Sequence, residues 1–177
     1  MMTPGMSKWS LLANSPEAET RADLSLEECN EASDQNRAAI QRALHTELLV
    51  VTTHARKLAD SFWAMNHAMR EENDPELQGY FGTRARLRDN TLSIDWYRNY
   101  FIRDKVTGKK RPISKHIAKG EGFRYSNRSF KGAKEWEQEV IAEVEDQYAV
   151  LRKRAHLLRG MRRAMSEYQA LMKEESN

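Results

Sequence analysis

Between Phe81 and Tyr97, apolar and polar residues alternate with a period of two on either side of a single Asp-Asn pair. Phe81, Thr83, Ala85 and Leu87 alternate with Arg84, Arg86 and Arg88. After Asp89-Asn90, Leu92, Ile94 and Trp96 alternate with Ser93, Asp95 and Tyr97. Side chains of a strand point alternately to its two faces, so the pattern predicts two half-buried strands. Asp and Asn both tolerate positive φ, which a two-residue hairpin turn requires. A register follows: Leu87 faces Leu92, Ala85 faces Ile94 and Thr83 faces Trp96 on one side. Arg86 faces Ser93 and Arg84 faces Asp95 on the other. A slip of one residue would set arginines among the apolar set, so the sequence opposes it.

The same stretch concentrates charge. From Gly79 to Lys131 there are fourteen basic and four acidic residues, an excess of ten, whereas the whole chain of 177 residues carries only +3. The segment before it holds seven basic against thirteen acidic residues, so the asymmetry is local. A charge gathered this way is costly for a small fold unless something negative binds to it, and nucleic-acid phosphate is the commonest such partner. A two-stranded ribbon fits the DNA major groove, which makes Arg84, Arg86 and Arg88 the leading contacts. Lys109, Lys110 and Lys115 are assigned to phosphates, and the loop from Lys109 to Arg111 joins the three arginines as a main contact. Arg98, Arg103, Lys119, Arg124 and Arg128 complete the candidate basic contacts, and Tyr97 and Tyr125 are the candidates for stacking on bases. Trp96 reads as core. The bland alternative is a solvated strand face that serves only solubility. A second cluster, Arg152 to Arg163, reads equally as a phosphate contact or as a solvated helix face paired with the acidic N-terminal zone.

Helical periods flank the basic region. Ile40, Leu44, Leu48, Val51, Ala55, Leu58, Phe62, Met65 and Met69 recur by threes and fours, which predicts a helix capped by Ser33 or Asp34 and ended near Glu71 by Asn73-Asp74-Pro75. Trp136, Val140, Val144, Tyr148, Leu151, Ala155, Leu158, Met161, Met165, Tyr168 and Met172 predict a second, from Gly132 to the end. Arg111 to Ile117 reads as a third strand, and Pro112 places it at an edge or at its own beginning. The expected architecture is α+β: two long amphipathic, coiled-coil-like helices (33–72 and 132–174) flanking a three-stranded antiparallel meander within 79–131. The seams could pair within one chain or between two copies. Residues 1–32 read as a loosely ordered tail, although Ser25 and Glu28 have capping-box spacing.

No chemistry competes with this reading. The five histidines and the lone Cys29 have no metal-ligand spacing, and there is no phosphate-cradling Gly-rich loop, nucleophile elbow or paired-carboxylate site. The expectation is a non-enzymatic protein without cofactor or metal. A single cysteine, no signal peptide and no apolar run of membrane-spanning length suggest a cytoplasmic one. Three functions stay open: duplex DNA binding, an adaptor that docks proteins through its helices, and RNA binding by stacking.

Three runs carry a family resemblance: Leu92-Ser93-Ile94-Asp95-Trp96-Tyr97-Arg98, Ser114-Lys115-His116-Ile117-Ala118-Lys119-Gly120, and Lys134-Glu135-Trp136-Glu137. Together they resemble the MobI-like conjugative transfer proteins, over about Tyr80 to Ala164. The resemblance implies an auxiliary factor that binds the origin of transfer of a plasmid or integrative conjugative element. Such a factor would help recruit or stimulate the relaxase without itself nicking DNA. It assigns no contact residues.

Overall fold

A computed structural model describes residues 25–72, 74–103, 108 and 110–175. Helix α1 spans Leu26–Glu71, strands β1, β2 and β3 span Phe81–Arg88, Thr91–Arg103 and Lys110–His116, a 3-10 turn spans Asn127–Phe130, and helix α2 spans Glu135–Glu175. The class is the α+β arrangement expected. The chain divides into two compact units, 1–43 and 44–177.

Within the first unit, α1 begins earlier than Ser33. The Ser25 hydroxyl accepts from the Glu28 N–H at 3.2 Å, and the Glu28 carboxylate accepts from the Ser25 N–H at 3.0 Å. This reciprocal capping box satisfies two donors that a helix start leaves open. Ser33 and Asp34 then lie inside the helix, where both engage Arg37. Residues 1–24, the rest of the expected tail, lie outside the described residues.

In the second unit the sheet order is β1-β2-β3, all antiparallel, with β3 at an edge as Pro112 requires. The hairpin register is the one read from the alternation: Leu87 with Leu92, Ala85 with Ile94, Thr83 with Trp96, Arg86 with Ser93 and Arg84 with Asp95. Asp89 and Asn90 take φ of 47° and 56°, the primed-turn geometry their side chains tolerate. Beneath the sheet, fully buried Trp96 is met edge-on by Phe62 of α1 at 5.1 Å, Phe130 at 5.3 Å and Tyr148 of α2 at 5.8 Å. Both helices therefore cover the same face. They run antiparallel: Glu47 pairs with Arg154 at one end, and Asn66 and Glu137 both border Gly79 at the other.

The buried stripes are shorter than the sequence seams. On α1 the stripe runs through Leu48, Thr52, Ala55, Ala59, Phe62 and Asn66, while Met65 of the expected seam is exposed. On α2 the seam holds through Val144, Tyr148, Leu151 and Leu158, but Met161 and Tyr168 lie outside it, exposed. A straight helix at 3.6 residues per turn drifts off a 3.5-residue repeat, so a seam read by threes and fours leaves a short contact.

Buried carboxylates secure the fold. Glu137, with no exposed surface, accepts from the Phe81 N–H at 2.7 Å and from the Lys134 N–H at 3.3 Å, which joins the start of β1 to the start of α2. Burial raises its carboxyl above the ordinary 4.5, against the lowering by those N–H donors. As pH climbs through 4.5 the unfolded chain releases this proton first, so folding stability should decline until the folded carboxyl also ionises. Glu137→Gln removes that titration. Urea unfolding at stepped pH should show the parent losing stability relative to the variant just above pH 4.5. A parent that gains stability there would contradict the dominance of burial.

Candidate nucleic-acid interface

Period-two alternation divides the basic residues between two faces of the sheet, and the register says which goes where. The face away from the helices carries Arg84, Arg86 and Arg88 from β1 and Ser93, Asp95 and Tyr97 from β2. Arg86 and Arg88 are exposed. Arg84 is half-buried, its guanidinium 5.6 Å from the Tyr97 ring centre. Among the described residues none of the three joins an ion pair. They line a shallow cavity of about 230 Å³ together with Thr91, Ser93 and Asp95. Asp95, the one carboxylate there, accepts from the Ser93 hydroxyl at 2.5 Å and lies 3.5 Å from His116 Nε2. The face is thus a row of guanidinium groups with little internal neutralisation, suited to an anion rather than to a metal. The described residues hold no cluster of three or more His, Cys, Asp or Glu placed for a metal ion.

Tyr97 does lie on this face, but it is not a free stacking platform. The Trp63 ring from α1 sits 6.3 Å away, over Gly82, and Trp63 Nε1 donates to the Thr83 carbonyl at 2.9 Å. A Cβ at Gly82 would come within 2.5 Å of Tyr97 and 2.9 Å of Trp63, so only glycine admits both rings. Trp63 covers the open edge of β1 and extends the cationic face with an aromatic one. Sequence reasoning missed it. The available signal was a glycine inside a strand pattern, which marks a close approach.

Other candidates are placed elsewhere. Arg98 lies in register with Phe81 on the helix-covered side, because it shares the parity of Trp96. Its guanidinium lies 5.4–5.9 Å from the ring centres of Tyr80, Phe81 and Tyr100 and donates to the Lys131 carbonyl at 3.1 Å. It braces the start of β1 and stays partly exposed there. Lys115 and Arg111 share that side but are exposed, and Arg103 is exposed at the end of β2. Lys119 bends back onto the carbonyls of Gly120 and Gly122. Arg124 pairs with Asp146, and Arg128 is exposed on the 3-10 turn. Lys110 is strand backbone paired with Arg103, and Lys109 lies outside the described residues.

Tyr125 is the clearest correction: it is 2 % exposed and packs on Phe130, where no base can reach it. Arg152, read as part of a surface cluster, is buried too. It grips Glu145 through two nitrogens at 2.7 and 3.1 Å and donates to the carbonyls of Ile94 at 3.1 Å and Phe123 at 2.8 Å. Glu145 also accepts from Trp96 Nε1 at 2.7 Å and the Tyr125 N–H at 2.8 Å. Arg154 and Arg163 pair with Glu47 and Glu167, and Arg162 donates to the Asn90 carbonyl of the hairpin turn at 3.0 Å. The helix cluster is largely engaged within the fold.

No described helix is long and apolar enough to cross a membrane. A family model described as MobI protein matches residues 51–166, which takes in all three strands, the C-terminal part of α1 and most of α2. No curated protein and no solved structure matches the chain.

Proposed function

From the premise that the chain belongs to the MobI family of conjugative mobilisation proteins, we propose that it is a non-enzymatic auxiliary factor that binds duplex DNA at the origin of transfer and assists the relaxase there. The observation that carries the reading is the row of Arg84, Arg86 and Arg88. It stands on the face turned away from the core, unpaired among the described residues, above a shallow cavity. Phosphate binding releases counterions, so affinity should fall steeply with salt. In a titration of origin duplex at several salt concentrations, Arg84→Ala/Arg86→Ala/Arg88→Ala should lower the log–log slope by about 2–3, roughly 0.9 for each phosphate no longer neutralised. An unchanged slope would remove these arginines from the interface. Because Arg86 and Arg88 are exposed, Arg86→Ala/Arg88→Ala should keep its melting temperature nearly unchanged and serves as the folded control.

A second reading has its own support. Val150, Leu157, Met161, Tyr168 and Leu171 form an exposed apolar stripe on α2. A stripe of this kind suits a helical partner, either the relaxase or a second copy of the chain. A pull-down that survives nuclease treatment, with no shift of duplex DNA at low salt, would favour it over the DNA reading. Competition by single strands would point instead to RNA or unpaired bases.

A further inference from the structure

Strand β2 is longer than its first partner. Pairing with β1 ends at Arg98, whereas pairing with β3 continues to Arg103 opposite Lys110. From Tyr100 onward β2 and β3 therefore form a two-stranded ribbon about 14 Å long, at 3.4 Å per residue, which leaves the three-stranded sheet. Most of its described side chains are open to solvent. Tyr100 is 42 % and Ile102 46 % exposed, and Arg103 and Arg111 are exposed as well. Tyr100 and Ile102 share one face of the ribbon, and Arg111 lies directly across from Ile102. Arg103 points to the opposite face.

Two large apolar side chains at the end of an exposed ribbon call for an occupant. Charge selects it: residues 99–103 and 110–116 hold Arg103, Lys110, Arg111, Lys115 and His116 and no carboxylate. Strand addition by a second copy is disfavoured, because Pro112 on the edge strand has no N–H to donate. Apolar side chains flanked by cations are what minor-groove proteins use to open a base step. We propose that the β2–β3 ribbon is a DNA-bending arm, with Tyr100 and Ile102 wedged into a base step from the minor groove while Arg103 and Arg111 hold the phosphates on either side. This rests on duplex DNA being the partner, and it adds a second contact to the arginine row. Arg98 supports the arm at its base, held between the Tyr80 and Tyr100 rings.

The test uses the full chain and a mixed-sequence duplex carrying a fluorescent donor at one end and an acceptor at the other, at about 50 mM salt. Binding should shorten the end-to-end distance, as a bend of roughly 20–90° would. With Tyr100→Ala/Ile102→Ala the complex should still form through the arginine row, but the ends should stay apart. Both side chains lie outside the buried core, and Ile102→Ala alone, which leaves the contact of Arg98 with Tyr100 intact, should melt with the parent and lose part of the shortening; thermal unfolding checks that both variants fold. Equal shortening by variant and parent, or a parent complex without shortening, overturns the arm and leaves DNA binding standing. A parent that binds no duplex at all overturns both. A variant that changes sedimentation but not bending assigns the ribbon to self-association and overturns the arm as well.

Discussion

Replacing Glu145 by Ala should remove about 3–5 kcal/mol of unfolding free energy, a large share of the ~5–15 kcal/mol a domain of this kind possesses. The loss arises because one carboxylate serves three buried donors: the Arg152 guanidinium, Trp96 Nε1 and the Tyr125 N–H. Without it, Arg152 keeps its charge among the Tyr125 and Tyr148 rings, at 4.8 and 5.4 Å, with two carbonyls but no counter-ion. Buried pairs are often replaceable by apolar residues at no net cost, but that rule assumes the pair serves only itself. Here removal of both partners would also orphan four other groups, so Glu145→Leu/Arg152→Leu should remain destabilised. Urea unfolding monitored by tryptophan fluorescence measures both variants. A Glu145→Ala loss below about 1 kcal/mol would mean that water replaces the carboxylate and that the centre is less dry than its burial implies.

Trp96→Ala should cost a similar ~3–5 kcal/mol, for a different reason. The indole fills the space between Phe62, Phe130 and Tyr148, and three rings from three elements would lose their common neighbour. Trp96→Phe separates packing from hydrogen bonding: it keeps much of the volume but leaves Glu145 short of the indole donor. The Trp96→Ala/Glu145→Ala double variant should lose less than the sum of the singles, since both singles break the same 2.7 Å bond. Strict additivity would show that the two residues act separately.

The hairpin was legible because three local signals agree there: alternation of period two, a turn pair that accepts positive φ, and a register that keeps arginines off the apolar side. Glu71 as a helix end was legible for the same kind of reason, since Pro75 forbids continuation nearby. The start of α1 was legible only as the capping-box spacing of Ser25 and Glu28. Ser33 and Asp34 are attractive caps, and only the reciprocal bonds between Ser25 and Glu28 move the boundary earlier. Among the candidate contacts, counting charge without parity led to Arg98, although its even spacing from Trp96 already placed it on the covered side. Tyr125 and Arg152 were beyond local reading. Their burial depends on Glu145, and only the folded chain brings α2 against the loop that holds Tyr125. A spacing of seven between Glu145 and Arg152, close beside the buried stripe, was the one available hint.

Because β3 joins β2 only from Tyr97 onward, the flank of β2 near Ile94 lacks a neighbouring strand. The fold fills that gap with a guanidinium: Arg152 takes the Ile94 carbonyl that another chain would otherwise seek. At the outer border of β1, Trp63 does the same for Thr83. Two carbonyls that an open sheet edge would offer to another strand are thereby taken up by side chains of the same chain, and Trp63→Phe would free one of them.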